Sequence, residues 1–335
     1  MKVTIADVAR EAGVSTATVD RVVNGRNGVR LQTRDRVLTI AQRLGYTISD
    51  PGQSLSPVTL DFILPGGTNT YLNLLARELE QGCGPLLGVT VRLHRIEGFN
   101  PDLLAQTLQV LRGNTQGIGI IALDHPKVRE AIRDLSSVPV LTMVSDISDV
   151  PRIGYIGIDN RAAGRLAGHL LGRFIQKQSA QVAMFAGSLS YRGHEEREMG
   201  FRHILAEEFP ELTVVPLREN QDDFNRSYTE AKALLSDSPD LSGIYNIGAG
   251  NRGIAQALEE SGRAREVVFI GHELTDHTRR FLLAGLMDAV IDQNPRLEAR
   301  ESIIALSRAV RGQPIYREPW AIGVQVIFRE NIPPR

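Results

Sequence analysis

Three glycines, Gly248, Gly250 and Gly253, stand at GxGxxG spacing in "NIGAGNRGIAQALEESG", after an apolar run and ahead of an amphipathic one. A dinucleotide site needs that order. Glycines let the backbone approach a pyrophosphate at a helix N-terminus, and a carboxylate about 20 residues further on takes the ribose hydroxyls. Glu273, which closes "VVFIGHE", stands near that offset, so NAD or another nucleotide is one reading of the loop. Other catalytic patterns are incomplete. "HEERE" and "HELTDH" approach H-E-x-x-H, but Glu198 holds the second histidine position in the first and His277 falls one residue late in the second, so neither supplies the paired imidazoles of a zinc site. Asp124 beside His125 is half of an acid–base pair with no nucleophile placed against it. Cys83, between Gly82 and Gly84, has no cationic neighbour in sequence and reads as a packing residue. No catalytic residue, metal or cofactor is expected.

The elements that position these residues alternate. From Val58 onward the apolar runs "VTLDFIL", "VTVRL", "GIGIIAL", "VPVLTM", "YIGI", "AQVAMFA", "LTVVPL", "SGIYNI", "EVVFIG" and "MDAVI" are separated by helical stretches such as 72–81, 161–174 and 297–310. This predicts an α/β architecture of parallel sheets flanked by helices, with more strands than one compact sheet usually holds and hence two sub-domains. Ligands of open α/β sheets sit outside the carboxyl ends of the strands, so the glycine loop is a ligand loop on either reading. A dinucleotide fold starting at the fingerprint would need two βαβαβ halves, and only 88 residues remain from Gly248 onward. The loop therefore suits a small ligand better, with Asn251 offering both donor and acceptor.

Composition sets the outer limits. A chain of 335 residues, 42% hydrophobic and 23% charged, has the make-up of two or three compact units. Its single cysteine excludes an internal disulfide and points to a reducing compartment. Lys2 and Asp7 interrupt the N-terminus before any signal-peptide core, and no run approaches bilayer length; a cytoplasmic protein without membrane contact is expected. The net charge of -1 hides an asymmetry: residues 1–57 hold eight Lys or Arg against five Asp or Glu. The N-terminal piece is the part expected to meet a polyanion.

That piece has a readable pattern. In "TIADVAREAGVSTATVDRVVNG", Ile5, Val8, Ala9 and Ala12 lie on one face of a short helix capped by Thr4 and ended by Gly13. Ser15 caps a second helix that turns Val19, Val22 and Val23 inward, and a third helix presents Val37, Ile40, Ala41 and Leu44. Two helices across so short a turn predict a helix-turn-helix.

From Thr4 to Asn24 the sequence matches T-x-x-D-V-A-x-x-A-G-V-S-x-x-T-V-x-R-V-x-N and so resembles the LacI family of transcription regulators, a similarity that continues through "TRDRVLTIAQRLGY" into the rest of the chain. The resemblance implies a helix-turn-helix domain (1–48), a hinge (49–57) and an effector domain of periplasmic-binding-protein type I fold (58–335). Its N-sub-domain would take 58–158 with 292–320, its C-sub-domain 159–291 with 321–335, the chain crossing near Asp159, Ile291 and Trp320. It also implies a homodimer on a pseudo-palindromic double-stranded DNA operator, acting as a repressor under control of a monosaccharide or polyol. Carried over by position, Thr16 and Ala17 face base edges and Arg21 reaches a guanine. Thr4, Ser15, Thr18, Asn24 and Arg34 lie along phosphates, and Leu55 is the hinge leucine that wedges into the minor groove. Two positions depart from the family. Asp20 replaces the usual serine, and Pro51 with Gly52 disfavours a hinge helix in the absence of DNA. In the cleft the resemblance implies Asn69, Tyr71, Asp124, Asp146, Arg197, Phe224, Asn251, Glu273 and Gln293, a set able to bond vicinal hydroxyls and cover a sugar face. Without the basic N-terminal piece, the same body would read as a solute-binding protein.

Overall fold

The computed structural model describes residues 3–23, 26, 28–44, 46, 57–175, 179–315 and 322–334. Three helices open the chain: α1 (Ile5–Ala12), α2 (Thr16–Val23) and α3 (Leu31–Leu44). The start of α1 is a capping box. Thr4 Oγ1 accepts from Asp7 N at 3.3 Å, and the Asp7 carboxylate accepts from Thr4 N at 3.0 Å. Gly13 at φ 63° closes the helix, and Ser15 Oγ caps α2 by accepting from Thr18 N at 3.1 Å. Val8, Ala9, Ala12, Val19, Val22, Val23, Val37, Leu38, Ala41 and Tyr46 form a small core. Ile40 and Leu44, expected inside it, are only partly buried, and Leu38 is buried instead. Ile304 of the larger domain packs against the same core.

The remainder is two open sheets. The first has the order β2-β1-β3-β4-β5, all parallel: β1 (Val58–Pro65), β2 (Val89–Ile96), β3 (Ile118–Ile120), β4 (Val140–Met143) and β5 (Gly154–Ile156). The helices α4 (Thr70–Gln81), α5 (Pro101–Leu111) and α6 (Pro126–Asp134) connect its first four strands. After β5 the chain passes through α7 (Asn160–Phe174) into the second sheet. That sheet contains β6 (Ala180–Ala186), β7 (Leu212–Val214), β8 (Arg218–Glu219), β9 (Leu241–Asn246), β10 (Val268–His272), β11 (Ala289–Asp292) and β12 (Gln325–Ile327), in the order β12-β11-β10-β9-β6-β7 with β8 also on β6. Its crossovers carry α8 (Arg192–Glu208), α9 (Phe224–Asp237), α10 (Asn251–Glu260) and α11 (Asp276–Ala284). From β11 the chain returns to the first lobe as α12 (Pro295–Val310), which packs on α4, β1 and β4. The third expected crossing, near Trp320, lies outside the described residues. Beyond it β12 runs antiparallel to β11, an exception to the all-parallel expectation.

Apolar runs buried on both faces are what parallel sheets require, and Leu60, Phe62, Ile118, Ile120, Val182, Met184, Ile244 and Ile270 are each 1% exposed or less. Helices α7 and α8 pack backbone to backbone at glycines. A Cβ on Gly164 would meet the Arg197 carbonyl, and one on Gly200 the Arg161 carbonyl. That close approach holds Arg197 over the gap between the lobes. Among the described residues no helix is long and apolar enough to cross a membrane.

Candidate functional sites

Two surfaces gather the residues singled out by sequence. On the helix-turn-helix, Ser15, Thr16, Ala17 and Arg21 are exposed along one edge of α2, while Thr18 is half-buried with its hydroxyl 2.9 Å from Ser15 Oγ. A short polar helix start with an arginine one turn on fits into a major groove. Asp20 is held by Arg26, Nη1 to Oδ2 at 3.0 Å, so its charge is partly compensated within the module. Arg34 does not lie free along the surface: its Nη1 is 3.4 Å from Glu301 Oε2 on α12. Asn24 and Leu55 lie outside the described residues.

The second surface is the gap between the sheets, a cavity of about 190 Å³. Asn69, Tyr71, Arg197, Phe224, Asn251, Glu273 and Gln293 line it. Arg197, 3% exposed, sits at its centre. It donates from Nε to Asn160 Oδ1 at 2.8 Å, from Nη1 to the Ile247 carbonyl at 2.8 Å and from Nη2 to Gln293 Oε1 at 2.9 Å. Gln293 in turn donates to Glu273 Oε1, so one chain of bonds runs from α8 through the crossover to the end of β10. Asn251 accepts from Asn246 Nδ2 at 2.7 Å and donates to the His272 carbonyl at 3.0 Å, tying the glycine loop to β10. Asn69 caps α4, accepting from Tyr71 N at 3.1 Å, and reaches across the gap to donate to Asp222 Oδ2 at 3.0 Å. The lobes are therefore in contact. Phe224 offers its ring to the cavity and carries the Arg252 guanidinium 4.7 Å above its centroid.

Two expected residues are elsewhere. Asp124 is bound by Arg129, with Nε to Oδ1 at 2.8 Å, and by the Ser148 hydroxyl at 2.9 Å. Asp146 accepts from Thr142 Oγ1 at 2.6 Å and is paired with Arg152 at 2.6 Å. Neither lines the cavity. The cause for Asp146 is local: after β4 the backbone turns at Val144, φ 62°, which presents Ser145 to the cleft, where its hydroxyl accepts from Gly193 N at 3.2 Å. Asp124 lies past the part of its loop that reaches the cavity, where Ile121 lines the wall.

Sequence reasoning missed Asp222, His194, His272 and Glu298. Asp222 accepts from Ala249 N at 2.9 Å and braces the glycine loop; the adjacent acids ahead of Phe224 in "NQDDF" were the available signal. Glu298, fully buried on α12, accepts from Tyr71 OH and from Val144 N at 2.8 Å. Burial pushes its carboxyl up to about 7, against those two bonds. Burial likewise holds Glu273 well above the usual carboxylate range, with Asp292 adding to it and Arg197 opposing, and drives His194 down to about 4. His272 is also pushed well below its ordinary value, by burial and then by Arg197. On two cavity-lining residues, Glu273 Oε2 and His272 Nδ1 are buried with no hydrogen-bond partner among the described residues. Buried polar atoms are normally satisfied, so these two stand out within the site.

The glycines are used for packing within the protein. Gly250 takes φ 101° with Ser227 where a Cβ would be, and Gly253 packs against the Phe224 carbonyl on α9. A volume of about 190 Å³ lies below the roughly 300–1,000 Å³ of drug-sized sites. It suits one small molecule better than an extended dinucleotide. Among the described residues no three His, Cys, Asp or Glu converge as a metal site.

A helix-turn-helix joined to a two-lobed body with a small polar cleft defines a ligand-responsive DNA-binding protein. Residues 4–49 match the profile of bacterial regulatory proteins of the lacI family, and 61–314 match a periplasmic binding protein domain. Catabolite control protein A from Staphylococcus xylosus is 30% identical over 272 residues, covering 78% of this chain and 79% of that protein. The Staphylococcus epidermidis protein of the same name is 29% identical over 248 residues, covering 72% of each. The chain belongs to the LacI family of transcriptional regulators. Among solved structures, GanP, a glucose-galactose binding protein from Geobacillus stearothermophilus, superposes with a TM-score of 0.75 at 22% identity, over 83% of this chain and 99% of that one. A solute binding protein from Burkholderia graminis in complex with D-arabinose gives 0.77 at 20% identity, over 83% and 98%. These likenesses establish the type I binding-protein fold of the body.

Proposed function

We propose that this regulator is a cytoplasmic homodimeric repressor whose two helix-turn-helix units read a pseudo-palindromic operator, and whose cleft takes one monosaccharide or polyol without turning it over. The observation that carries the effector reading is the cavity itself. It has the volume for one small molecule and is lined by Phe224 and by Glu273 and His272, whose Oε2 and Nδ1 are buried without a partner among the described residues, beside the bonded line of Arg197 and Gln293. A carboxyl group and an imidazole can each hydrogen-bond a hydroxyl. Asn69, Asn251 and Gln293 contribute by holding the walls in position, since their amides are bonded to protein partners. Structural relatives crystallised with D-arabinose and D-allose support the size class. On α2, Thr16, Ala17 and Arg21 read base edges while Ser15 and Thr18 hold phosphate.

Thermal denaturation in the presence of D-arabinose, D-allose, other pentoses and hexoses, polyols and NADH tests the cleft. A cognate sugar at a hundredfold excess over its Kd stabilises the wild type by about 2.7 kcal/mol. Arg197→Ala abolishes that gain while leaving DNA binding in the absence of sugar unchanged. Stabilisation by NADH alone would return the glycine loop to nucleotide chemistry.

A further inference from the structure

We propose that α12 is a dock for the protein's own helix-turn-helix module and competes with DNA for Arg34. The inference rests on the reading of Arg34 as a phosphate contact. Arg34 Nη1 and Glu301 Oε2 are 3.4 Å apart, and the two side chains are only 15% and 12% exposed. One turn along α12, Ile304 packs on the helix-turn-helix core, and Arg300 Nη2 donates to Thr39 Oγ1 of α3 at 3.2 Å. One face of α12 thus grips one face of α3. A guanidinium closed against Glu301 is withheld from a phosphate, so docked and DNA-bound arrangements exclude each other at this residue.

The junction has the character of a contact made to be broken. Arg34 Nε and Glu301 Oε1 are buried there with no hydrogen-bond partner among the described residues, and an unsatisfied buried polar atom carries a penalty that weakens the pairing. Docking leaves Ser15, Thr16, Ala17 and Arg21 exposed, so DNA can engage the recognition helix first and then draw the module off α12. The same helix carries Glu298, which bonds Tyr71 OH and Val144 N in the cleft three residues before Glu301. A displacement of α12 is therefore felt at the cleft and at the dock together.

The test uses the full chain and a random-sequence duplex at fixed salt, with binding followed by fluorescence anisotropy and exchange of α3 amides followed without DNA. Glu301→Ala, and Glu301→Gln as the milder variant, should bind roughly three- to tenfold tighter and expose α3 to faster exchange. Arg34→Ala should bind more weakly with a shallower salt dependence, and adding Glu301→Ala to it should change nothing further. Equal tightening by Glu301→Ala in both backgrounds would mean that only a repelling charge had been removed, and the dock would be refuted; unchanged affinity and unchanged exchange would refute it too. If Arg34→Ala leaves the salt dependence intact, the phosphate reading fails, while the exchange rates still report whether the dock exists.

Discussion

Glu298 and His194 show how buried titratable groups in one cleft act on stability in opposite senses. With its carboxyl raised to about 7 in the folded chain against an ordinary 4.5, Glu298 favours folding most below pH 4.5, where both states hold the proton. That advantage is lost as pH rises toward 7, by on the order of 3 kcal/mol. His194, lowered from 6.5 to about 4, costs nothing above pH 6.5 and destabilises as pH falls through the window between those values. The two slopes oppose each other through mildly acidic pH. Glu298→Gln removes one of them, so the stability of the variant relative to wild type should climb steadily from pH 4.5 to 7 in urea titrations. A difference that stays constant with pH would show that Glu298 is ionised in the folded protein. The variant loses one acceptor for Tyr71 OH or Val144 N, which sets its starting offset but not the slope.

At the scale of elements, the packing of α7 on α8 decides where Arg197 stands. Gly164 and Gly200 let the helices touch through their backbones, and a methyl group at Gly200 would collide with the Arg161 carbonyl. In an isolated helix Gly→Ala would stabilise by about 1 kcal/mol; here the clash dominates, because neither backbone can yield without moving the other. Gly200→Ala is expected to destabilise by about 1 to 3 kcal/mol, as overpacking does, and to weaken sugar binding by shifting Arg197. Chemical denaturation and sugar titration of the same variant check both halves. A stabilised variant would mean that the helices separate freely and that their contact does not position the arginine.

For the whole molecule, the closed arrangement of the lobes is held in part by the Asn69 to Asp222 hydrogen bond. Asn69→Asp keeps a side chain able to cap α4 but sets a second carboxylate against Asp222. Small-angle scattering of the sugar-free protein should then show a larger radius of gyration than wild type, with sugar affinity reduced about tenfold or more, since closure must now overcome like-charge repulsion. Identical scattering curves would assign closure to other contacts, such as Gly193 N to Ser145 Oγ.

The local patterns of this chain determined a great deal without any tertiary information. The cap at Thr4, the stop at Gly13 and the inward valines of α2 follow from 3.6-residue periodicity and cap chemistry, which depend on near neighbours alone. The alternation of apolar runs and helices determined parallel sheets in two lobes for the same reason. What tertiary structure decided is what each polar side chain meets. The backbone turn at Val144 swapped Asp146 for Ser145 at the cleft wall, and Arg129 claimed Asp124. Lobe-to-lobe contact brought Asp222 to Asn69 across 153 positions, and α12 brought Glu301 to Arg34 across 267. No periodicity encodes such pairs, because they arise only when elements distant in sequence are folded against one another.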